Sequence, residues 1–569
     1  MRIHSYWVRA RVSFIASEMD KSSDATNATE TDDRRSDEIE WNCVKPTETA
    51  RALRTASRRT FLQGAATTCL AGLGLAAGGT ASASSGPATS YDDEYDTVVN
   101  VVEAGADNTG NEPITSVLRS VRSDNTLLYF PPGRYYMDSQ FRFTGFEKFG
   151  VVGNDATLVP ANYYNFDGPR YRLFRLGTRS SPGGHVRFEG FEVDQTAPDT
   201  GIRVIDTYAE ERLEVRDVRI RGEHDSGTWG PGHFNITSES GTGIVERFRA
   251  PDGGAWVHNT PNDGNAWRGP IGIEANQNKG RLEFRRCWMH GFPSHGIYAS
   301  GGSGQIIVNG GWFKNNNPVN IRVGGTNSKV IWPQIENDHA RPDDQSHRGI
   351  RLENGSGFEV IATVRNSVPM PGSHAIAVMN SCESATIHRS TIEISGDQVN
   401  HGIVVSPSAG EVLIEDTEIT HSAAGGYPIW IRGEDSRDRV QCRFVSIDGE
   451  AGDEAGFRDA IRCTRNNCRF SACELSQRAL DGVDRNGLVV EGTDTTVYQG
   501  SYRAERFPYV DQGADNAVLQ SDMESFRSDV EAVRVYPDVV SPEFKSNRLV
   551  NGIQDLGAIG LLDWRNTSE

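Results

Sequence analysis

The chain has 569 residues and a net charge of −19 at neutral pH, and 51 of its 58 basic residues are arginines. An acidic sequence without a clustered basic run excludes nucleic acid as a partner, because phosphate binding needs a concentrated basic face. An acidic, lysine-poor surface is typical of proteins from halophiles and predicts a haloarchaeal source; an ordinary acidic secreted protein is the alternative.

The N-terminal 83 residues carry two features that precede any fold. Residues 1–56 are polar, mixed in charge and without a hydrophobic period, which predicts a disordered leader. Paired arginines come next in Ser57-Arg58-Arg59-Thr60-Phe61-Leu62, before a weakly apolar run at 64–77 and an Ala81-Ser82-Ala83 exit. This arrangement resembles a twin-arginine export signal over residues 57–83.

Beyond the signal we expect a linker over 84–95 and a folded protein outside the cell or at its surface. The apolar run is too short and too rich in glycine to anchor the chain, so we expect no membrane insertion. Residues 112–122 place Ile114, Val117, Leu118 and Val121 at helical spacing, which predicts an amphipathic cap helix.

The strongest signal is a repeat of a small residue followed by an aliphatic anchor. Its copies are Gly201-Ile202, Gly243-Ile244, Pro270-Ile271, Gly296-Ile297, Asn320-Ile321, Gly349-Ile350, Ala375-Ile376, Gly402-Ile403, Pro428-Ile429, Ala460-Ile461 and Gly487-Leu488. From Ile244 onward the steps are 24 to 32 residues, and most repeats carry a second alternating strand. This period predicts one coil per repeat in an all-β, single-stranded parallel β-helix over 96–520, with a C-terminal cap or tail over 521–569.

Three segments give the chain a family resemblance. They are Val101-Val102-Glu103-Ala104-Gly105-Ala106-Asp107, Tyr129-Phe130-Pro131-Pro132-Gly133-Arg134-Tyr135 and Asp555-Leu556-Gly557-Ala558-Ile559-Gly560. Together they resemble the pectate lyase-like superfamily, which includes pectate lyases, polygalacturonases and phage tailspike enzymes. The resemblance spans roughly residues 96–560 and implies a right-handed β-helix, usually one that handles acidic polysaccharide.

The residue after each anchor should point outward, so these residues form a column along the stacked coils. The column places Tyr298, Arg322 and Arg351 on three consecutive coils, with Trp430 further along. Guanidinium forks bind carboxylates or sulfates and aromatic rings stack on sugars, so these four residues are candidate substrate-binding groups for an acidic glycan. The alternative is a solvated sheet face whose arginines pair with neighbouring carboxylates.

A second column, two positions before the anchor, contains Arg348, His374, His401 and Tyr427. These residues are candidate catalytic groups for β-elimination from a uronate. Arg348 or Arg351 would neutralise the sugar carboxylate, His374 or His401 would abstract the C5 proton, and Tyr427 would protonate the leaving oxygen. The alternative is hydrogen-bonded histidines that stack at a turn.

Two further features concern metals and thiols. The turn before Arg348 carries Asp338, Asp343 and Asp344, which are candidate Ca²⁺ ligands or, alternatively, solvated acidic residues of a loop. Four cysteines crowd into 442–473, and they are expected to be either buried thiols or a disulfide between neighbouring coils, such as Cys442 with Cys473.

The segment 221–270 exceeds one repeat and is expected to be a long insertion that walls a cleft. The sequence as a whole predicts a secreted lyase acting on an acidic, uronate or sulfated, polysaccharide. A polygalacturonase-like hydrolase and a non-catalytic glycan-binding or cell-surface protein are the alternatives, and the oligomeric state stays open.

Overall fold

A computed structural model of the chain describes residues 91–567 apart from positions 169, 228, 262–267, 369, 371, 435 and 437. The predicted leader at 1–56 and the predicted signal at 57–83 lie outside the described residues. The folded part is a right-handed parallel β-helix of about 16 turns, and its fold class is as the sequence predicts. Each coil contributes strands to three stacks, in which every strand pairs in parallel with strands of the neighbouring coils.

Strands confined to the first stack are Phe141–Phe143, Arg172–Leu176, Gly232–Ile236, Ile271–Glu274, His295–Ala299, Val319–Val323, Arg348–Leu352, Ser373–Val378, Ile429–Ile431, Asp459–Cys463, Asn486–Val490, Tyr509–Asp511, Val533–Val535 and Ile553–Asp555. Those of the second are Thr97–Asn100, Thr126–Phe130, Arg281–Arg285, Ile306–Asn309, Ser384–His388, Arg469–Ser471, Thr496–Tyr498, Ala517–Leu519, Glu543–Lys545 and Leu562–Trp564.

Those of the third are Thr109–Pro113, Gly133–Met137, Trp288–His290, Trp312–Lys314, Glu474–Ala479, Ser501–Ala504, Asp522–Ser525 and Arg548–Leu549. Longer strands bend through two or three stacks, and these are Lys148–Pro160, Gly183–Asp194, Arg203–Arg221, Thr242–Ala250, Lys329–Asn337, Phe358–Asn366, Thr391–Val405, Glu411–Gly425 and Val440–Ala451.

The bend between the second and third stacks is made by single residues with left-handed backbone. Arg247, Arg286, Gly310, Trp332 and Arg389 occupy this corner on different coils, with φ between 46° and 65°. A left-handed residue costs about 1–2 kcal/mol unless it is glycine. The uninterrupted ladders on both sides offset this cost, since they pair the backbone groups before and after the corner.

The predicted anchors form the core column of the first stack from Ile297 onward. Ile297 pairs with Ile321, Ile321 with Ile350 and Ile350 with Ile376, and all four side chains are fully buried. The column then continues in register through Ile403, Ile429, Ile461 and Leu488. This alternation of buried and outward side chains is what a two-residue period with one apolar face produces.

The prediction is wrong for the three earlier anchors, which do not occupy the core column of the first stack. Ile244 lies in the second stack, where it pairs with Glu214 and Glu283, and Ile202 precedes its strand. Ile271 pairs with His295, so the inward anchor of that coil is Ile273, which pairs with Ile297. An isoleucine on each side of Gly272 satisfies the same alternation, and the sequence pattern therefore selected the wrong one.

The predicted insertion at 221–270 is also wrong in part. Gly232–Ile236 and Thr242–Ala250 are strands that pair with the coils before and after them. These strands complete a coil whose core position in the first stack is Gly232, paired with Ile205 and Ile273. Without an aliphatic residue at this position, the repeat is invisible to a search for anchors.

Both ends of the solenoid are structured. The helix Thr115–Val121 covers the first coils, with Ile114 and Leu118 fully buried, as predicted. Tyr95, in the predicted linker, packs with Leu127. Parallel pairing continues past the predicted boundary at residue 520 as far as Leu562–Trp564.

Short 3-10 turns lie at Tyr163–Asn165, Val257–Asn259 and Glu454–Gly456. In the described part, no helix is long and apolar enough to cross a membrane.

Six cysteines of the described chain are buried free thiols. The disulfide between Cys442 and Cys473 is therefore wrong, and the alternative of buried thiols holds. The Cys473 thiol instead donates to the Cys442 carbonyl oxygen at 3.5 Å. Burial raises the pKa of Cys287 and of Cys382 to about 12, so both stay protonated at neutral pH.

Candidate active site on the first strand stack

The outward side chains of the first strand stack form a continuous surface, which we call the first-stack face. The residues that come after the true anchors line it, namely Asp206, His233, Glu274, Tyr298, Arg322, Arg351, Ala377, Val404, Trp430 and Arg462. Neighbouring members lie one strand spacing apart, roughly 4.8 Å. Side chains distant in sequence are thereby brought into one surface.

Tyr298, Arg322 and Arg351 lie on three consecutive coils, as the sequence predicts. The Arg322 guanidinium lies 4.4 Å from the centre of the Tyr298 ring. Arg322 Nε and Arg351 Nε donate to the two carboxylate oxygens of Glu353 at 2.5 and 2.6 Å. Ser300 Oγ also donates to Glu353, at 2.7 Å. Glu353, which orients both guanidinium groups, is not among the residues predicted from the sequence.

Two more arginines lie against this group. Burial and the charges of Arg351, Arg268 and Arg322 lower the pKa of Arg348 to about 10. Arg348 Nε is buried and has no hydrogen-bond partner among the described residues. Arg268 bonds the side chain of Gln345. We call Arg268, Arg322, Arg348 and Arg351 the arginine cluster; Arg322 and Arg351 contact the carboxylate of Glu353, which is 3% exposed.

His374 and His401 pair across neighbouring strands, and their ring centres are 5.4 Å apart. Burial, with Arg432 and Arg485, lowers the pKa of His401 to about 4. Burial and the neighbouring charge of Arg348 hold the pKa of His374 well below its usual value. Both rings are therefore neutral at pH 7 and retain a nitrogen lone pair.

The two histidines differ in what their ring nitrogens contact. The Tyr427 backbone N–H donates to His401 Nδ1 at 3.1 Å, which places the proton of the neutral ring on Nε2. His374 Nδ1 is buried and makes no hydrogen bond within the described chain. His374, with no contact that fixes its tautomer through Nδ1, is therefore the better candidate for a base.

Tyr427 and Trp430 continue this surface beyond His401. The centres of the Tyr427 and Trp430 rings lie 5.7 and 5.2 Å from that of His401. Burial raises the pKa of Tyr427 to about 12, so its hydroxyl keeps its proton at neutral pH. Trp430 is three coils from Arg351, roughly 14 Å along the stack, and Arg432 packs on its ring at 4.6 Å.

A second charged group, which was not predicted from the sequence, lies on the coils before Tyr298. Asp206 is 2% exposed; it bonds Arg172, and its Oδ1 lies 2.8 Å from His233 Nδ1. Arg203 Nη2 donates to Glu274 Oε2 at 2.9 Å. We call Arg172, Arg203, Asp206, His233 and Glu274 the salt-bridge cluster. The signal was present in Ile205 and Ile273, the true anchors, which directly precede Asp206 and Glu274.

The structure does not bring the three predicted calcium ligands together. Asp338 bonds Lys314 Nζ at 2.6 Å, Asp343 lies 3.2 Å from His258 Nε2, and Asp344 bonds the buried His347 at 2.8 Å. The described residues contain no group of three His, Cys, Asp or Glu side chains placed to hold a metal ion. Ca²⁺ binding at this turn stays a prediction, which dialysis against a chelator tests.

No protein-family model and no curated protein matches the chain. Among solved structures, a surface adhesin of Streptococcus pneumoniae is similar at 10% identity and a TM-score of 0.32, covering 74% of this chain and 91% of that one. An exopolygalacturonase of family 28 from Yersinia enterocolitica has 9% identity, 83% and 78% coverage and a TM-score of 0.20.

A third similar structure is the catalytic unit of a GH87 α-1,3-glucanase from Streptomyces thermodiastaticus. Its identity is 13%, its coverage 83% of this chain and 68% of that one, and its TM-score 0.17. None of these scores is high enough to support an argument about the activity of this chain.

The two charged groups of the first-stack face are suited to different tasks. In the salt-bridge cluster, Arg172 and Arg203 are matched by the buried carboxylate of Asp206 and by Glu274. In the arginine cluster, positive charge exceeds negative charge; Tyr298 lies on the coil next to Arg322, and Trp430 lies three coils beyond Arg351. A carboxylate or sulfate of a sugar would supply the missing negative charge, and the rings would contact the sugar itself.

Proposed function

We propose that the protein is an exported lyase that binds an acidic polysaccharide along the first-stack face. The observation behind the proposal is the arginine cluster, in which Arg322 and Arg351 share the carboxylate of Glu353 and the buried Nε of Arg348 beside them makes no hydrogen bond within the described chain. Removing several like charges from water without counter-charges is costly. An anionic ligand offsets that cost, and Tyr298 and Trp430 would contact its sugar rings.

The reaction proposed is β-elimination. The base takes the C5 proton of a uronate, the electron pair forms the C4–C5 double bond, the C4–O bond breaks and the leaving oxygen takes a proton. Arg348 and Arg351 would bind the carboxylate and thereby acidify the C5 proton, since they stabilise the negative charge that develops beside it. His374, neutral and on the coil next to Arg348, would accept the proton. Tyr427 would protonate the leaving oxygen.

A non-catalytic glycan-binding protein at the cell surface is the second candidate. The observation that favours it is the placement of the acid and base. His401 uses Nδ1 to accept from Tyr427 N–H, and Tyr427 lies two coils from His374, roughly 10 Å along the stack. The C5 proton and the leaving oxygen belong to neighbouring atoms of one sugar, so both groups would have to reach toward them.

A hydrolase has less support from the carboxylates of the salt-bridge cluster. Hydrolysis needs a carboxyl group that keeps its proton in order to protonate the leaving oxygen. Burial opposes ionisation of Asp206, but His233, Arg172 and Arg203 outweigh it and leave the pKa of Asp206 far below its usual value. Asp206 therefore stays ionised, and Glu274 is bound to Arg203.

Incubating the secreted protein with pectate, alginate and sulfated glycans in high salt distinguishes the three functions. Ultraviolet absorbance from the new double bond indicates a lyase, whereas new reducing ends without absorbance indicate a hydrolase. Binding without cleavage supports the second candidate. The absence of binding to every acidic polysaccharide would contradict all three.

Replacement of His374 tests its role as the base. If the protein is a lyase, His374→Ala is expected to lower turnover at least about 100-fold, because general bases contribute on this scale. His401→Ala is expected to lower turnover less, since its Nδ1 already accepts a backbone hydrogen bond. His339→Ala, an exposed control, should change nothing. Full activity in folded His374→Ala protein would refute the assignment.

A further inference from the structure

Two tryptophans lie together on the outward side of the third strand stack. Trp288 and Trp312 are paired on neighbouring strands, and the inward residues beside them, Met289 and Phe313, are fully buried. The two indole rings meet edge to face with centres 5.8 Å apart, and Trp288 is 36% exposed. Large aromatic rings on a solvated strand surface gain nothing from exposure, which points to a ligand.

The two indoles border a cavity of about 570 Å³. Its other walls are Arg249, Arg286, Gly311, Gln334, Ile335, Glu336 and Arg365. This volume falls within the range of small-ligand sites, roughly 300–1,000 Å³. The lining combines flat apolar surface with hydrogen-bonding groups, as a sugar requires, since a pyranose presents C–H groups on its faces and hydroxyls around its edge.

The charges around the cavity indicate which kind of sugar it would bind. Arg286 bonds Glu246, Arg365 bonds Glu393 at 2.9 Å, and Glu336 lies 3.3 Å from Lys314. Arg249 packs its guanidinium 4.8 Å from the centre of the Trp288 ring. Arg249 Nε is buried and has no hydrogen-bond partner in the part of the chain that is described. Arg249 is thus the cation best placed to meet a ligand carboxylate.

We infer that this cavity is a second glycan-binding site that takes a uronate residue of an acidic polysaccharide. Trp288 and Trp312 contact the ring, Gln334 bonds its hydroxyls and Arg249 binds its carboxylate. The site is built on the third strand stack, whereas the arginine cluster lies on the first. Its existence therefore does not depend on the proposed lyase activity, and it would hold substrate against a different face of the solenoid.

The test uses the whole protein and trigalacturonate as the probe. The variant Arg348→Ala/Arg351→Ala, which weakens the first site, is expected to retain one binding event that changes tryptophan fluorescence. Adding Trp312→Ala should lower the remaining affinity at least about tenfold, since a stacked ring contributes on this scale. Trp312→Phe should restore most of it. Trp564→Ala, a control 53% exposed on the second stack, should not matter.

Charge recognition is tested with Arg249→Gln and two probes. This variant is expected to bind trigalacturonate more weakly than the wild-type chain does and to bind maltotriose, a neutral trimer, equally well. Equal wild-type affinity for the two trimers would overturn the assignment of a uronate.

The two sites fail separately. Suppose that Trp312→Ala binds trigalacturonate with the affinity of the wild type and shows the same change in tryptophan fluorescence on binding. The second site is then refuted and the first-stack proposal is unaffected. If Arg348→Ala/Arg351→Ala leaves binding unchanged while Trp312→Ala abolishes it, the first-stack proposal is refuted and the second site is supported. Circular dichroism and the Tm of each variant establish that it is folded.

Discussion

The salt-bridge cluster and the arginine cluster are neighbours on one face, and both combine arginines with a buried carboxylate. They differ in charge balance. Asp206 bonds Arg172 and His233, and Glu274 bonds Arg203, so each carboxylate of the first group has its own partners. In the second group, Glu353 bonds both Arg322 and Arg351, and the buried Nε of Arg348 has no hydrogen-bond partner among the described residues.

This difference separates a structural arrangement from a binding site. Buried ion pairs that satisfy one another fix the local geometry and leave little charge to offer a ligand. Like charges held together without sufficient counter-charge destabilise the free protein, and they gain most from an anion. We therefore expect mutations in the salt-bridge cluster to affect folding, and mutations in the arginine cluster to affect binding.

The largest effect is expected from Asp206→Ala. It removes the buried carboxylate shared by Arg172 and His233, and breaking a buried ion pair on one side costs roughly 3–5 kcal/mol. Urea unfolding should show a loss of this order, and glycan binding by the remaining folded protein should be unchanged. Asp522→Ala is the matched control, because its pair with Arg548 is exposed and contributes less than about 1 kcal/mol.

Acid should act on the same cluster. The pKa of Asp206 lies below its unfolded value of about 4, so its stabilisation is present above that pH and is lost as the pH falls toward the folded pKa. Asp206→Asn should flatten the decline in stability below about pH 4. A wild-type decline that is equally steep in this variant would show that Asp206 contributes nothing to it.

Next in size is Arg348→Ala. Because a hydrogen bond to a charged group contributes about 1.5–3 kcal/mol, affinity for acidic polysaccharide should fall roughly tenfold or more. Stability should stay the same or rise, since the repulsion from Arg351, Arg268 and Arg322 is relieved. Arg348→Lys keeps the charge and should retain part of the affinity. A large loss of stability with intact binding would reverse the roles assigned to the two clusters.

The smallest effect is expected from Glu353→Gln. Burial opposes ionisation of Glu353, but Arg351 and Arg322 outweigh it and leave the pKa of this carboxyl below its usual value. Its neutral replacement keeps one oxygen acceptor, so one of the two arginines loses its hydrogen bond, and the net charge of the cluster rises by one. Affinity for trigalacturonate should rise a few-fold at pH 7, measured by titration calorimetry. Unchanged or weaker binding would contradict an anion site.

The β-helix itself was predictable because its period is written in the anchors. From Ile297 to Leu488 each coil repeats an aliphatic core residue, and the register is fixed by that repeat. Gly232 interrupts the pattern, and Asp206, His233 and Glu274 were therefore not predicted as members of the outward column. The candidate substrate-binding and catalytic residues from Tyr298 onward lie on the strands where the sequence placed them, whereas their chemical roles stay predictions.

The contacts between coils were less predictable than the coils. Glu353 reaches Arg322 across 31 positions, and nothing in either local sequence indicates that pairing. Trp288 and Trp312 are 24 residues apart, the same step that separates Ile297 from Ile321. The shared step indicates that the two tryptophans lie side by side on neighbouring coils of the third strand stack.

The buried thiols supply the protein with reporters of its own local opening. Cys287, Cys382, Cys442 and Cys473 lie on different coils, and each is at most 2% exposed. A thiol that is both shielded and protonated reacts with an alkylating reagent only when its coil detaches from its neighbours. The labelling rate at each position therefore measures the opening free energy of that coil, and a set of such rates would map where along its length the solenoid begins to unravel.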